Sequence, residues 1–199
     1  MLCIFSDASE EAFGACAYLR WQLADGSFDV RFVTAKSRVA PLKKLTVPRL
    51  ELQAAVIASR MYQTIREETR LKIDETVFFS DSTIALMWIR SQARGFKPFV
   101  SNRVGEIQSR SDPSQWHHVR GELNVADDIS RGIDVNQLNQ RWMTGPEFLY
   151  LPEQSWPHDI TRVDHAEVTK NAERCSLYSS SPAHKMPLAA RISLHGEDY

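Results

Sequence analysis

The chain lacks the features of a disulfide-bonded, zinc-binding or membrane protein. Its 199 residues include three cysteines, which are widely spaced and form no CxxC pair, so the sequence predicts neither a disulfide framework nor a cysteine zinc site. No run approaches the roughly 20 apolar residues of a membrane span, and no basic region with a following apolar stretch opens the chain. We therefore expect an intracellular, cytoplasmic protein in a reducing compartment, without a membrane partner.

A strong excess of charge of either sign is also absent, since the formal net charge is -1. An evenly spread charge of this size would be unusual for a nucleic-acid-binding protein. Residues 31–49, however, contain no acid and carry the basic residues Arg31, Lys36, Arg38, Lys43, Lys44 and Arg49. This segment either follows a phosphate backbone or is a solvated loop, and the pattern alone does not choose between them.

Turn signals and apolar periodicity predict one α/β domain with a mixed sheet. The predicted strands are residues 2–6, 13–21, 30–35, 76–80 and 116–119, of which the first three form an antiparallel meander. The predicted helices are residues 48–68, 82–91, 99–110 and 126–131. We expect the domain to span residues 1–135, a connecting segment to span 136–152, and a poorly structured tail to follow from 153 to 199.

Four acids lie at the ends of different predicted elements: Asp7 and Asp81 at strand tips, Glu51 in a first helical turn and Asp127 on a late helix. Each has an ordinary explanation as a turn residue, a helix cap or a partner of the helix dipole. Asp128 is an equal rival of Asp127 on spacing alone. Gathered carboxylates repel one another, so their conjunction predicts a site for bound cations.

The small residues Ala55 and Ala58 follow Glu51 on its own helical face. Small neighbours would leave room beside the carboxylate, and we interpret this pattern as space for a ligand.

The sequence resembles the ribonuclease H domain of BEL/Pao-type LTR retrotransposon polyproteins over roughly residues 2–150. The blocks that carry the resemblance are FSDAS at residues 5–9, AKSRVAPLK at 35–43, VPRLEL at 47–52, SDST at 80–83, FVSNRV at 99–104 and HVRGELNVADDISRG at 118–132. A further block, WMTGPEFL at 142–149, is similar to the segment that joins such domains to the integrase.

The resemblance implies a ribonuclease H-like fold and cleavage of the RNA strand of RNA·DNA hybrids. It implies Asp7, Glu51, Asp81 and Asp127 as the catalytic metal ligands, and its Ala-Asp-x-x-Ser-Arg pattern selects Asp127 over Asp128. The implied cofactors are two Mg²⁺ ions about 4 Å apart, with Mn²⁺ as a substitute. Lys36, Arg38, Lys43, Lys44 and Arg49 are the predicted nucleic-acid-binding residues.

The same resemblance implies reverse transcriptase and integrase portions of a polyprotein as partners, and virus-like particles or the nucleus as further locations.

The chain departs from the family pattern at the histidine that serves as a proton shuttle. Relatives place a histidine in the loop before the last acid, where this chain has Arg120-Gly-Glu-Leu-Asn. We interpret His117 and His118, which precede that loop, as structural strand residues.

Two other function classes compete with a hybrid-specific nuclease. The alternative is a catalytically inactive ribonuclease H-like remnant that binds nucleic acid or protein. Retention of all four acids favours activity, because a single lost carboxylate would disable metal binding. A retroviral-type aspartic protease is excluded because Asp81-Ser-Thr lacks the required glycine.

Overall fold

A computed structural model of the protein describes residues 1–133, 136 and 141–157. Its five-stranded sheet has the order β3-β2-β1-β4-β5. The strands are β1 Leu2–Ala8, β2 Ala12–Gln22, β3 Phe28–Val39, β4 Thr76–Ser80 and β5 Trp116–His118. The helices are α1 Val47–Glu68, α2 Thr83–Ile89, α3 Pro98–Gln108, α4 Asp127–Arg131 and α5 Arg141–Thr144.

The sheet is mixed, as the sequence predicts. Strands β1, β2 and β3 form the antiparallel meander, whereas β1, β4 and β5 run parallel to one another. The first three strands are longer than predicted, and β2 gains one residue at each end. Strand β1 continues through Asp7, which pairs with Gly14 of β2 instead of opening a loop. Strand β3 continues to Val39, so the first half of the basic segment is an edge strand and not a loop.

The alternation of side chains along β1 produces one apolar core on each face of the sheet. Leu2 and Ile4 join the core beneath α1, α2 and α3, where the Phe78 and Trp116 rings stack with centroids 4.4 Å apart. Cys3 and Phe5 join the opposite core, which the chain after β5 covers. Because both faces are covered, all seven β1 residues are buried, including Asp7 near its end.

Helix α1 packs its apolar face on β1 and β2. Pro48 lies in its first turn, where the missing backbone N–H costs no helical hydrogen bond. Ala55 and Ala58 are 1% and 0% exposed within the core. The interpretation of these alanines as space for a ligand is therefore wrong: their small size lets the helix approach the sheet closely.

Residues 141–157 return to the sheet. Phe148 and Leu149 are buried in the second core, and Arg20 of β2 donates to the carbonyl oxygens of Leu149 at 2.7 Å and Leu151 at 2.8 Å. The predicted division into domain, connecting segment and tail stays a prediction, and residues 158–199 lie outside the described residues. Among the helices described, none is long and apolar enough to cross a membrane.

Candidate active site

Two of the predicted site residues are neighbours at the sheet edge where β1 and β4 end. The register of these parallel strands pairs Ser6 with Ser80, so Asp7 and Asp81 follow the last pair side by side. The Asp7 carboxylate points to the face that α4 covers, where it accepts a hydrogen bond from the Ser130 hydroxyl. Asp7 is 5% exposed, which places a carboxylate in a region with little water.

Glu51 reaches the same edge from the start of α1. Its carboxylate accepts a hydrogen bond from the Ser82 hydroxyl, which also accepts one from the backbone N–H of Ala85 at 3.1 Å. Ser82 is thus the N-cap of α2, and Asp81 is not needed for that role. The first turn of α1 contains no acid, so interaction with the helix dipole does not account for Glu51 either.

The electrostatics shows that these three acids influence one another. The pKa of Asp7 is raised to about 6, mainly by burial and also by the negative charge of Asp81, against the opposing Ser130 hydrogen bond. The pKa of Glu51 is likewise raised to about 7, mainly by burial and also by the charges of Asp81 and Asp7, against the opposing Ser82 hydrogen bond. A positive charge at this edge would relieve both effects.

The two adjacent acids of α4 have different partners. Asp127 accepts a hydrogen bond from Arg131 Nε at 2.5 Å, and its charge contributes to the raised pKa of Asp7. Asp128 is bound by Arg141, whose Nη2 lies 2.9 Å from its Oδ1. Asp127 therefore belongs electrostatically with the three acids at the sheet edge, whereas Asp128 ties α4 to α5.

Sequence reasoning missed Asn124, which joins the parts of this site. Its side-chain amide donates to the Ser6 carbonyl oxygen and to Asp81 Oδ1, both at 3.1 Å, and its Oδ1 accepts from the backbone N–H of Ala126 at 3.2 Å. Asn124 is 0% exposed. One buried side chain thus links the end of β1, the acid after β4 and the start of α4. The available signal was an asparagine three residues before Asp127, at the end of a predicted loop.

The two histidines are strand residues, as predicted. His118 is 7% exposed and its Nε2 lies 3.2 Å from the Asp81 carbonyl oxygen. The His117 ring packs 6.3 Å from the Phe79 ring, centroid to centroid. Their contacts place these rings in the packing around β4 and β5.

The predicted nucleic-acid-binding residues lie on β3, in the loop after it and at the start of α1. Lys36 and Arg38 of β3 line a groove of about 210 Å³ against α1. Lys43 and Lys44 lie in the exposed loop after β3, which is joined to the β1–β2 turn by a hydrogen bond from Ala40 N to the Glu11 carbonyl oxygen. The guanidinium of Arg49 lies 4.9 Å from the centroid of the Phe99 ring.

Within the described residues, no three His, Cys, Asp or Glu side chains form a cluster ready to hold a metal ion. The donor set nevertheless fits a hard divalent cation, because it consists of carboxylate oxygens. Burial and neighbouring negative charges raise the pKa values of Asp7 and Glu51. The positive charge of a bound ion would lower both pKa values again.

Comparison with known proteins finds a family model that matches the first part of the chain. Residues 1–82 match the family described as Pao retrotransposon-like RNaseH-like domain, and this part of the chain contains Asp7, Glu51 and Asp81. No curated protein matches the chain.

Several solved structures are similar to the chain. The N-terminal RNase H domain of rv2228c from Mycobacterium tuberculosis is 12% identical, with a TM-score of 0.44, over 64% of this chain and 88% of that one. LC11-RNase H1, solved in complex with an RNA/DNA hybrid, is 14% identical with a TM-score of 0.42, over 63% of this chain and 89% of that one. RNase H1 from Halobacterium salinarum NRC-1 is 14% identical with a TM-score of 0.36, over 62% and 86%.

The family match and the sheet order agree with the fold class expected from the sequence. The resemblance to Pao-type retrotransposon domains is thus confirmed over residues 1–82, and the described part of the chain is an α/β domain with a mixed five-stranded sheet.

Proposed function

We propose that the protein is an endoribonuclease that cleaves the RNA strand of RNA·DNA hybrids with the help of two divalent cations. The observation that carries this proposal is the meeting of Asp7, Glu51 and Asp81, from three separate elements, at one edge of the sheet. Their fields and burial raise the pKa values of Asp7 and Glu51. A protein built only for stability gains nothing from this arrangement, because buried like charges oppose folding.

Asp7, Glu51, Asp81 and Asp127 would hold the cations, Mg²⁺ or Mn²⁺. When bound, such ions activate a water molecule, orient the scissile phosphate and stabilise the charge that develops on the leaving oxygen. The chain itself contributes the placement of the carboxylates. The β1–β4 register fixes Asp7 beside Asp81, Ser82 and Ser130 orient two carboxylates, and Asn124 holds the Asp81 carboxylate toward α4.

The basic residues supply a path for the nucleic acid. Arg38 pairs with Phe13, which pairs with Ala8 at the end of β1, so about 10 Å of sheet separates Arg38 from the carboxylate edge. A backbone that passes the carboxylates would reach Lys36 and Arg38 within a few nucleotides, and Lys43 and Lys44 extend the same positive surface. Selection of the hybrid would come from groove shape and 2′-hydroxyl contacts, so we expect little base preference.

The family context supports a place in reverse transcription. A retrotransposon-type domain would act with reverse transcriptase and integrase portions of a polyprotein, in the cytoplasm, in virus-like particles or in the nucleus. These partners and locations are part of the proposal.

The test is cleavage of an end-labelled hybrid, compared with double-stranded RNA and DNA of the same sequence. Each substrate is incubated with Mg²⁺, with Mn²⁺ and with EDTA. Asp81→Asn removes one carboxylate without changing the side-chain shape. Asp74→Asn is the matched control, because Asp74 precedes β4 at the opposite end of the strand and its exposed carboxylate pairs with Lys72.

Metal-dependent loss of the hybrid's RNA strand by the wild type and Asp74→Asn, together with an inactive Asp81→Asn, is the expected result. Failure of the folded wild type to cleave the hybrid with either metal would reject the proposal. That outcome would favour an inactive nucleic-acid- or protein-binding remnant instead.

A further inference from the structure

Arg131 has a position unlike that of the other partners of the four acids. Asp7 and Glu51 accept hydrogen bonds from the neutral hydroxyls of Ser130 and Ser82, and Asp81 accepts one from the neutral amide of Asn124. Asp127 instead has a cationic partner, because Arg131 Nε lies 2.5 Å from its Oδ1. A positive charge therefore already stands at the carboxylate edge.

The influence of Arg131 extends past Asp127. Its own pKa is raised first by the hydrogen bond and charge of Asp127, and then by the charges of Asp7 and Asp81 on β1 and β4. The geometry agrees, because Arg131 directly follows Ser130, whose hydroxyl donates a hydrogen bond to the Asp7 carboxylate. Helix α4 therefore carries both a direct partner of Asp7 and the cationic partner of Asp127.

The ion pair between Arg131 and Asp127 is exposed to solvent and can separate at little cost. The Arg131 side chain is 73% exposed and that of Asp127 is 33% exposed, and exposed pairs contribute little to stability. Arg131 is the last residue of α4, and Gly132, with φ 81°, ends the helix directly after it. Rotation of the side chain away from Asp127 therefore meets solvent and not packed protein.

A guanidinium released at this point would face a polyanion. Its planar set of N–H donors matches the oxygens of a phosphate and stays charged at any physiological pH. The proposed substrate brings backbone phosphates to the same edge of the sheet. The residue that balances the carboxylates without a metal could thus balance a phosphate once cations hold them.

We propose that Arg131 is a displaceable counter-ion, which holds Asp127 in the metal-free protein and, once divalent cations bind, contacts a backbone phosphate of the nucleic-acid substrate. This inference rests on the proposed function. It adds a positioning and substrate-binding residue to the acids, and it predicts opposite effects of one substitution on the two ligands.

The experiment compares Arg131→Gln with Arg141→Gln in the full chain. Both changes remove one positive charge from a partner of α4, but Arg141 pairs with Asp128. Binding of Mn²⁺ without nucleic acid is measured by calorimetry. Binding of a cleavage-resistant hybrid, whose RNA strand is 2′-O-methylated, is then measured in Mn²⁺ by fluorescence anisotropy across a salt series, so that every protein keeps all four acids. Arg131→Lys tests whether charge alone suffices.

We expect Arg131→Gln to bind Mn²⁺ about three- to tenfold more tightly than the wild type, because a competing charge is gone. Its hybrid affinity should fall, and the slope of log affinity against log salt should shrink by about 1, as for one lost phosphate contact. Arg141→Gln should show less than twofold change in either ligand. Arg131→Lys should keep the slope of log affinity against log salt that the wild type shows.

Unchanged Mn²⁺ affinity in Arg131→Gln would overturn the counter-ion role, and an unchanged salt slope would overturn the phosphate contact. These failures differ from failure of the proposed function. A wild-type protein that binds Mn²⁺ and cleaves the hybrid, beside an Arg131→Gln protein that behaves identically, rejects only this inference. A wild type that binds no Mn²⁺ rejects both.

Discussion

Asn124 offers the sharpest test of how the site is held together. Replacement by alanine removes two donated hydrogen bonds of 3.1 Å, to the Ser6 carbonyl oxygen and to Asp81 Oδ1, and one accepted from Ala126 N at 3.2 Å. The site is buried, so water does not readily replace these partners. An unmade buried hydrogen bond costs about 1–3 kcal/mol, and these effects are not fully additive. We expect Asn124→Ala to lower the free energy of unfolding by about 3 kcal/mol.

The same substitution should impair catalysis beyond its effect on stability. Without Asn124, the Asp81 carboxylate loses its partner and α4 loses a link to the end of β1, so the acids no longer hold a fixed separation. We expect the single-turnover rate of hybrid cleavage to fall at least tenfold under conditions where the variant is folded, since small displacements of positioned groups are costly.

Urea unfolding followed by circular dichroism measures the first effect, and quenched-flow cleavage measures the second. Asn102→Ala on the exposed face of α3 is the matched control and should leave both quantities unchanged. An Asn124→Ala protein within about 0.5 kcal/mol of the wild type, with a normal cleavage rate, would refute the role assigned to this side chain.

Three further predictions concern other parts of the molecule. Gly14→Ala should destabilise the fold by about 2 kcal/mol, because the new Cβ would lie 2.5 Å from both Ile129 Cγ2 and the Lys36 carbonyl oxygen. Gly95→Ala, which has open space around its Cβ, is the control in the same urea assay. The raised pKa values of Asp7 and Glu51 mean that the metal-free fold binds protons more strongly than the unfolded chain does. The free energy of unfolding should therefore fall as pH rises from about 4 to about 7, and Asp7 should account for about 2–3 kcal/mol of this fall at most. Scanning calorimetry should show this decline reduced in Asp7→Asn and reversed by Mg²⁺, and an equal decline in that variant would contradict the assignment. Arg20→Met should destabilise the fold by about 3 kcal/mol and speed limited proteolysis within residues 141–157, which Arg20 binds. The control Arg31→Met, at an exposed arginine, should do neither. Equal digestion rates of the two variants would contradict the role of Arg20 in holding this segment.

The sequence predicts those parts of the site that depend on local periodicity. Alternation along β1 puts Asp7 on the face of Cys3 and Phe5, and the apolar run of β4 ends at Ser80, directly before Asp81. Each of these placements requires only the geometry of one strand. The antiparallel meander and the long helix α1 are predicted for the same reason.

Other features depend on contacts between distant segments and could not be predicted. Asn124 meets Ser6 across 118 residues of chain, and no local pattern indicates such a pairing. The distinction between Asp127 and Asp128 depends on Arg141, which reaches α4 because the chain after residue 140 packs back on the sheet. Ala55 was misinterpreted because helical spacing reveals which face a residue shares but not what that face contacts.

The central claim is that the carboxylates at the β1–β4 edge perform metal-dependent cleavage of RNA in a hybrid. It is tested most directly by the single-turnover cleavage rate of wild-type, Asp81→Asn and Asp74→Asn proteins with saturating Mg²⁺, each first shown to unfold cooperatively. The account predicts equal rates for the wild type and Asp74→Asn, and no RNA cleavage by Asp81→Asn or by any of the three in EDTA. Cleavage by Asp81→Asn at the wild-type rate would contradict it.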